Sequence, residues 1–208
     1  NMFGHAVAVQ PDGKIVVAGS INCVDKYTAG YCTLLARFNS DGRVDNAFDE
    51  AFFAQGVDRS TQGAAGLFLQ GDGRMLVVGT RDSGSGDSFA VARYNADGSR
   101  DTSFGTDGVA TVFISTEVGS SDSATGVALQ PDGKIFIGGG FVTFNGTTVN
   151  RIARVNTNGS LDTTFTGTGT SNTVSSVGLQ ADGKVVVGGL FTTAGGASRN
   201  RIARFNAD

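Results

Sequence analysis

An arginine and an aspartate stand eight residues apart three times in this chain, at Arg37 and Asp45, Arg93 and Asp101, and Arg154 and Asp162. A phenylalanine follows each aspartate three places on, at Phe48, Phe104 and Phe165. Guanidinium and carboxylate can pair as a two-pronged fork. Each arginine also has an aliphatic residue two places before it, Leu35, Val91 or Ile152, and side chains two apart on a strand share a face. An arginine on an apolar face needs a partner once buried. These residues are therefore expected to form repeated structural pairs, not a reaction centre. A fourth copy, Ile202 and Arg204, lies near the end of the sequence and is not followed by the aspartate.

Other chemistry-bearing residues occur singly. His5 is the only histidine and has no counterpart in the other repeats. No Gly-x-Ser-x-Gly elbow with acid and histidine partners is present, and no phosphate-cradling Gly-x-x-x-x-Gly-Lys-Ser/Thr loop. Glu50 and Glu117, the only glutamates, fall in or near variable links and read as solvated loop carboxylates, not as the acid pair of a glycosidase. No catalytic residue is assigned, and the chain is not expected to be an enzyme. Two stretches, Asp82 to Asp87 and Asp101 to Asp107, offer clustered oxygens, and calcium takes about six to eight of them. Neither has the spacing of an EF-hand, so Asx turns are the expected reading and calcium the alternative. No other metal or cofactor is expected.

Cys23 and Cys32 are the only cysteines. Such a close pair in a Gly/Asp-rich chain is expected to close a loop as a disulfide, which implies export. Two unpaired thiols remain the alternative, and a zinc site lacks its other ligands. Tyr27 and Tyr31, between the cysteines, are the candidate contact residues for a sugar or a partner. Phe141 and Phe191 occupy matched positions, which favours packing. Asn145-Gly146-Thr147 and Asn158-Gly159-Ser160 match the glycosylation acceptor pattern, but Asn-Gly is also a turn signal.

The elements that must position these residues follow from a second repeated motif. Gln10-Pro11-Asp12-Gly13-Lys14 returns as Gln70-Gly71-Asp72-Gly73-Arg74, Gln130-Pro131-Asp132-Gly133-Lys134 and Gln180-Ala181-Asp182-Gly183-Lys184, at steps of 60, 60 and 50 residues. In the third copy, 124–129 and 134–139 are apolar, β-branched segments flanking this motif. They read as a hairpin whose three-residue loop ends on a glycine with positive φ. A looser stretch follows at 140–149, then a strand at 150–156, a turn at 157–159 and a last extended segment. No helical spacing of apolar residues occurs.

Four-stranded units of this length, unable to bury their faces alone, predict an all-β chain. The expected fold is a β-propeller of four tandem 50–60-residue blades of about four antiparallel strands, the last blade truncated. The array spans residues 1–208, with repeats at approximately 1–60, 61–120, 121–172 and 173–208, standing alone or within a larger ring. Three readings of the short fourth repeat stay open: a strand from flanking sequence, a partial ring completed by another chain, or an incomplete closed ring. The Arg-to-Asp step is constant, whereas the Gln-to-Arg steps are 27, 23, 24 and 24 and the Asp-to-Gln steps 25, 29 and 18. Fixed turns should therefore share one rim and variable loops the other, where binding is expected.

Taken together, Gln-Pro-Asp-Gly-Lys and Ala-Arg-Phe-Asn…Gly…Asp…Phe resemble the delta-sixty repeat of exported bacterial proteins over essentially the whole chain. That resemblance implies a β-propeller and carries no catalytic motif to transfer. It places the protein in an extracellular, cell-surface or periplasmic setting. The 32 glycines among 208 residues suit many tight turns. A net charge of −3 without a basic stripe argues against nucleic acid, and no apolar run reaches the ~20 residues of a membrane helix. The expected role is a structural or protein-interaction module, with a protein partner or self-association. The alternative is a carbohydrate-binding or calcium-dependent surface module.

Overall fold

The computed structural model describes residues 2–24, 29–48, 64–82, 87–113 and 124–206. These residues form strands and turns, and no helix among them is long and apolar enough to cross a membrane. The first sheet contains β1 (Met2–Val9), β2 (Ile15–Val24) and β3 (Ala29–Phe38) in that order. The second contains β4 (Ala64–Leu69), β5 (Met75–Asp82), β6 (Asp87–Tyr94) and β7 (Val109–Phe113), again in chain order.

In the third repeat, β8 (Ala124–Leu129), β9 (Ile135–Gly139) and β12 (Ile152–Val155) form the sheet, while β10 (Thr143–Phe144) and β11 (Thr147–Thr148) make a separate small hairpin. The fourth repeat has the same plan. Its sheet is β13 (Val174–Leu179), β14 (Val185–Gly189) and β17 (Ile202–Phe205), with β15 (Thr193–Ala194) and β16 (Ala197–Ser198) as the small hairpin.

The repeated turn has one build throughout. Gly13 N–H donates to the Gln10 carbonyl at 2.9 Å, and Gln10 N–H donates to the Lys14 carbonyl at 2.8 Å. Gly13 has φ 83°, the left-handed conformation of a bulged three-residue loop. The Asp12 carboxylate accepts the Lys14 N–H at 3.1 Å, locking the turn from inside. The same pattern recurs at Gly73, Gly133 and Gly183, and again after the third strand at Gly42, Gly98 and Gly159. The first strand of every repeat carries a register shift at the matched place, between Gly4 and Ala6, Ala64 and Gly66, Ala124 and Gly126, and Val174 and Ser176. Such bulges increase strand twist.

The chain packs as two compact units. One comprises Asn1–Ser83 with Ala90–Thr111, the other Gly84–Phe89 with Val112–Asp208. In the first unit, Val16, Ala18, Leu35 and Phe48 of one sheet share a buried cluster with Leu67, Met75, Val77, Ala92 and Tyr94 of the next. In the second, Ala128, Phe136 and Ile152 meet Val174, Val185, Val187, Ala203 and Phe205. The same face of the leading sheet meets the same face of the following sheet in both. The approach in the second unit is close: a Cβ on Gly126 would lie 2.7 Å from the Val177 nitrogen, and one on Gly138 2.5 Å from Val174 Cγ1.

A fourth strand joins the sheet by pairing only in the second repeat, among the described residues. The first and third repeats show single bridges after their turns, Phe38 with Val44 and Val155 with Leu161. In the third repeat the segment that follows is rich in glycine and leaves its own sheet. Thr170 bridges to Ala194 of the fourth repeat's small hairpin, and Gly169, at φ 77°, accepts the Gly195 N–H at 3.0 Å.

Candidate functional site

The third strand and its turn bring each arginine onto its aspartate. Arg37, Arg93 and Arg154 donate from Nε to Oδ2 of Asp45, Asp101 and Asp162 at 2.8, 2.7 and 2.8 Å. The expected two-pronged fork does not form, because each carboxylate divides its oxygens. Oδ1 accepts the N–H two residues on, from Ala47, Ser103 or Thr164, at 3.1, 3.0 and 3.0 Å. The aspartate thus caps its own turn while holding the guanidinium from the side. The strand also fixes the pair through its backbone, since Asp45 N–H donates to the Arg37 carbonyl at 2.9 Å, with the same bond in the next two repeats.

The phenylalanine completes the site. Arg37 lies 4.5 Å above the centroid of Phe48 and Arg93 4.7 Å above that of Phe104. Arg154 sits between Phe165 at 5.5 Å and Phe136 at 5.7 Å. A cation over an aromatic face gains more once water is removed, and Arg93, Arg154, Asp101 and Asp162 are all buried.

A third group had a visible signal that pair-spacing did not use. The last residue of the first turn is basic in every repeat, and in three repeats it reaches the same carboxylate. Lys14 and Lys134 contact Oδ2 of Asp45 and Asp162 at 2.9 and 2.8 Å, and Arg74 contacts Asp101 at 3.5 Å. The two fixed motifs are therefore one ionic staple, which draws the first and third turns of a repeat to the same end. In the fourth repeat Lys184 turns to Asp182 within its own turn, at 2.5 Å.

Charge balance keeps these acids ionised. The Lys14 ammonium, with the Ala47 N–H and Arg37, lowers Asp45 to about 2 against the opposing effect of burial. Burial also works against Asp162 and Asp101, and is outweighed by Lys134, Thr164 and Arg154 for the first and by Ser103 and Arg93 for the second. Both carboxyls lie below the usual carboxylate range. The second guanidinium nitrogens are engaged as well: Arg93 with Ser103 Oγ at 3.1 Å and Arg154 with Thr164 Oγ1 at 3.0 Å. Position 47 is alanine, and Arg37 instead donates to the Ala96 carbonyl of the next sheet at 2.8 Å.

The opposite, variable ends of the repeats are built differently. In the first two repeats the second and third strands run on as long ribbons, β2 with β3 and β5 with β6. In the third and fourth the chain instead makes the small hairpins, turned by Asn145 and Gly146 at φ 48° and 81°, and by Gly195 and Gly196 at φ 59° and 76°. Positive φ at both central residues suits the hand of a two-residue hairpin. Phe141, Phe144 and Phe191 are buried anchors, while Asn145, Thr147, Thr148, Ser198 and Arg199 face solvent.

The remaining candidates fall as follows. His5 Nε2 lies 3.0 Å from Ser20 Oγ on the neighbouring strand. Asp101 is committed to the staple, and the Asp107 carbonyl accepts from Arg100 at 3.1 Å. No cluster of three or more His, Cys, Asp or Glu that could hold a metal occurs among the described residues. Asn158 serves its turn by accepting the Ser160 N–H at 3.0 Å. The backbones of Cys23 and Cys32 lie on the paired strands β2 and β3, opposite Gly30 and Ile21. Their side chains, that of Tyr31, and Tyr27, Glu50, Glu117 and residues 83–86 lie outside the described residues.

Four segments, residues 10–48, 70–104, 130–165 and 180–208, match the family described as Domain of unknown function (DUF5122) beta-propeller. Each begins at the glutamine of the turn motif, and the first three end at Phe48, Phe104 and Phe165. The first three matched spans therefore enclose the staple, from the turn that carries its basic residue to the phenylalanine beneath its arginine. No curated protein matches the chain.

Proposed function

The chain belongs to the DUF5122 beta-propeller family, and from that membership we propose that it is a non-enzymatic, exported scaffold that binds a protein partner through its variable rim. The observation that carries this reading is the contrast between the two ends of each repeat. At the fixed end of the first three repeats the recurring charged side chains are spent on one another, each aspartate on a basic residue of the first turn and an arginine of the third strand. At the other end the loops differ in length and form while their aromatic anchors stay buried. A rigid scaffold with divergent loops on one edge is the usual arrangement for recognition. The delta-sixty likeness, carried by the paired motifs, adds export to the proposal, and a disulfide between Cys23 and Cys32 is proposed with it, since such a bond would suit that setting.

A second reading, a glycan-binding surface module, draws on the exposed Asn145, Thr147, Thr148 and Ser198 at the small hairpins, whose polar groups suit sugar hydroxyls. The two are separated by placing a photo-crosslinking residue at position 31 or 147 on the variable rim, and at position 12 or 132 on the fixed rim. In an extract of the source cells, a protein adduct is expected from the first pair only. Equal adducts from both rims, or none alongside binding on a glycan array, would overturn the scaffold reading.

A further inference from the structure

The variable ends of the third and fourth repeats carry a charge of opposite sign to the whole chain. From residue 124 to residue 206 seven lysines and arginines stand against three carboxylates, although the chain as a whole is at −3. All three carboxylates, Asp132, Asp162 and Asp182, lie in or beside the fixed turns, where they hold a turn or the staple. No acid of this stretch falls at the other end, yet Arg151, Arg199 and Arg201 do. A backbone carbonyl aims each guanidinium. Arg151 donates to Thr170, Arg199 to Ser198 and Arg201 to Leu190, each at 2.9 Å. Arg151 and Arg201 sit in left-handed backbone, at φ 72° and 68°, where glycine is the unstrained choice. The chain thus keeps an arginine at this corner twice, at a conformational cost.

Hydrogen bonds gather Arg151 and Arg199 onto one surface within one compact unit. Thr170, whose carbonyl holds Arg151, bridges to Ala194 of β15. β15 pairs with β16, and Arg199 follows β16 and donates its N–H to the Thr192 carbonyl at 2.9 Å. The Thr192 N–H in turn meets Ser171 Oγ at 3.1 Å. Two strand spacings therefore separate the arginines, roughly 10 Å. Ser171, Thr193 and Ser198, close by, expose hydroxyls. Phe141, Phe144 and Phe191 are buried and offer no ring face for a sugar to stack on.

We propose that this corner of the variable rim recognises an extended acidic segment of a protein partner, with Arg151 and Arg199 each taking a carboxylate. The guanidinium fork fits a carboxylate, and arginine is among the residues that most often anchor protein interfaces. On an extended segment, carboxylates two places apart share a face at ~7 Å, and the long side chains span the remainder. This partner chemistry rests on the protein-binding reading of the rim.

Fluorescence anisotropy of a labelled oligoglutamate peptide titrated with the whole chain tests it. Binding is expected at low ionic strength and falls as salt rises. Arg199→Glu weakens it by roughly tenfold or more. Because Arg199 is exposed, that variant keeps the fold, checked by circular dichroism. Arg151→Glu acts in the same direction, whereas Arg43→Glu on a fixed turn, with its side chain 86% exposed, leaves binding unchanged. Oligoglutamate that does not bind, binding indifferent to Arg199→Glu, equal weakening by Arg43→Glu, or tighter binding of the acidic polysaccharide polygalacturonate would overturn the proposal. The protein adduct from position 147 separates the two readings. If it forms and survives Arg199→Glu, the acidic partner is wrong and the rim reading stands. If the parent chain yields none, the rim reading itself fails and this partner with it.

Discussion

Ile152-Ala153-Arg154 and Ile202-Ala203-Arg204 are the same three residues at the same place in two sheets of one unit. In the third repeat the arginine is buried, held by Asp162, braced by Lys134 through that carboxylate, and stacked on Phe165. In the fourth it is exposed, and the basic residue of its first turn pairs within that turn. The strand is common to both, so the strand does not decide the arginine's state. An aspartate, an aromatic ring and a covering sheet do. Taking a charge out of water is costly unless it is paired, and the third repeat supplies the pairing at the point where the next sheet removes the water.

The comparison breaks most sharply on the arginines themselves. Arg154→Ala is expected to lower stability by about 3–5 kcal/mol in urea unfolding, because it leaves Asp162 buried with Lys134 alone. Arg204→Ala should stay within about 0.5 kcal/mol of the parent chain.

Glycines on the covered and open faces give a second, smaller contrast. Gly126→Ala forces a Cβ to 2.7 Å from the Val177 nitrogen and should cost about 1–3 kcal/mol through overpacking. A Cβ on Gly178 meets nothing within 4 Å, so Gly178→Ala should be neutral or slightly stabilising by the same denaturation assay.

Acid sharpens the account further. The folded carboxyls of Asp45 and Asp162 are lowered, the first to about 2, against an unfolded value near ~4. Their contribution is therefore complete above pH ~4 and lost as pH falls through the folded values. Melting temperature should fall over that window, and Asp162→Asn should flatten the fall while lowering stability at neutral pH. A change in the opposite direction is expected at position 47. Ala47→Ser places the hydroxyl that Ser103 and Thr164 supply in the next two repeats. It should raise stability by about 0.5–1.5 kcal/mol.

Much of this was legible from residue order. The Asp-Gly turns announced their hairpins because a loop that demands positive φ at one place leaves few choices but glycine. The constant Arg-to-Asp step announced the pairs because a tight turn returns the chain to the same place each time. Two things were missed for physical reasons. The small hairpins at 143–148 and 193–198 have two-residue strands, too short for any alternation to register, and only Asn145-Gly146 marked the first. The lysine of the staple comes from a different strand, so no constant short step ties it to the aspartate. Its signal was the unvarying basic residue at positions 14, 74, 134 and 184. The fork geometry failed because an aspartate that also caps a turn has only one oxygen to spare.

A double-mutant cycle on Arg154 and Asp162, read by chemical denaturation, tests most directly whether these recurring charges form a structural staple. The staple predicts a coupling of about 2 kcal/mol or more, with the double alanine variant scarcely less stable than the worse single one. Additive losses, with coupling below about 0.5 kcal/mol, would contradict it.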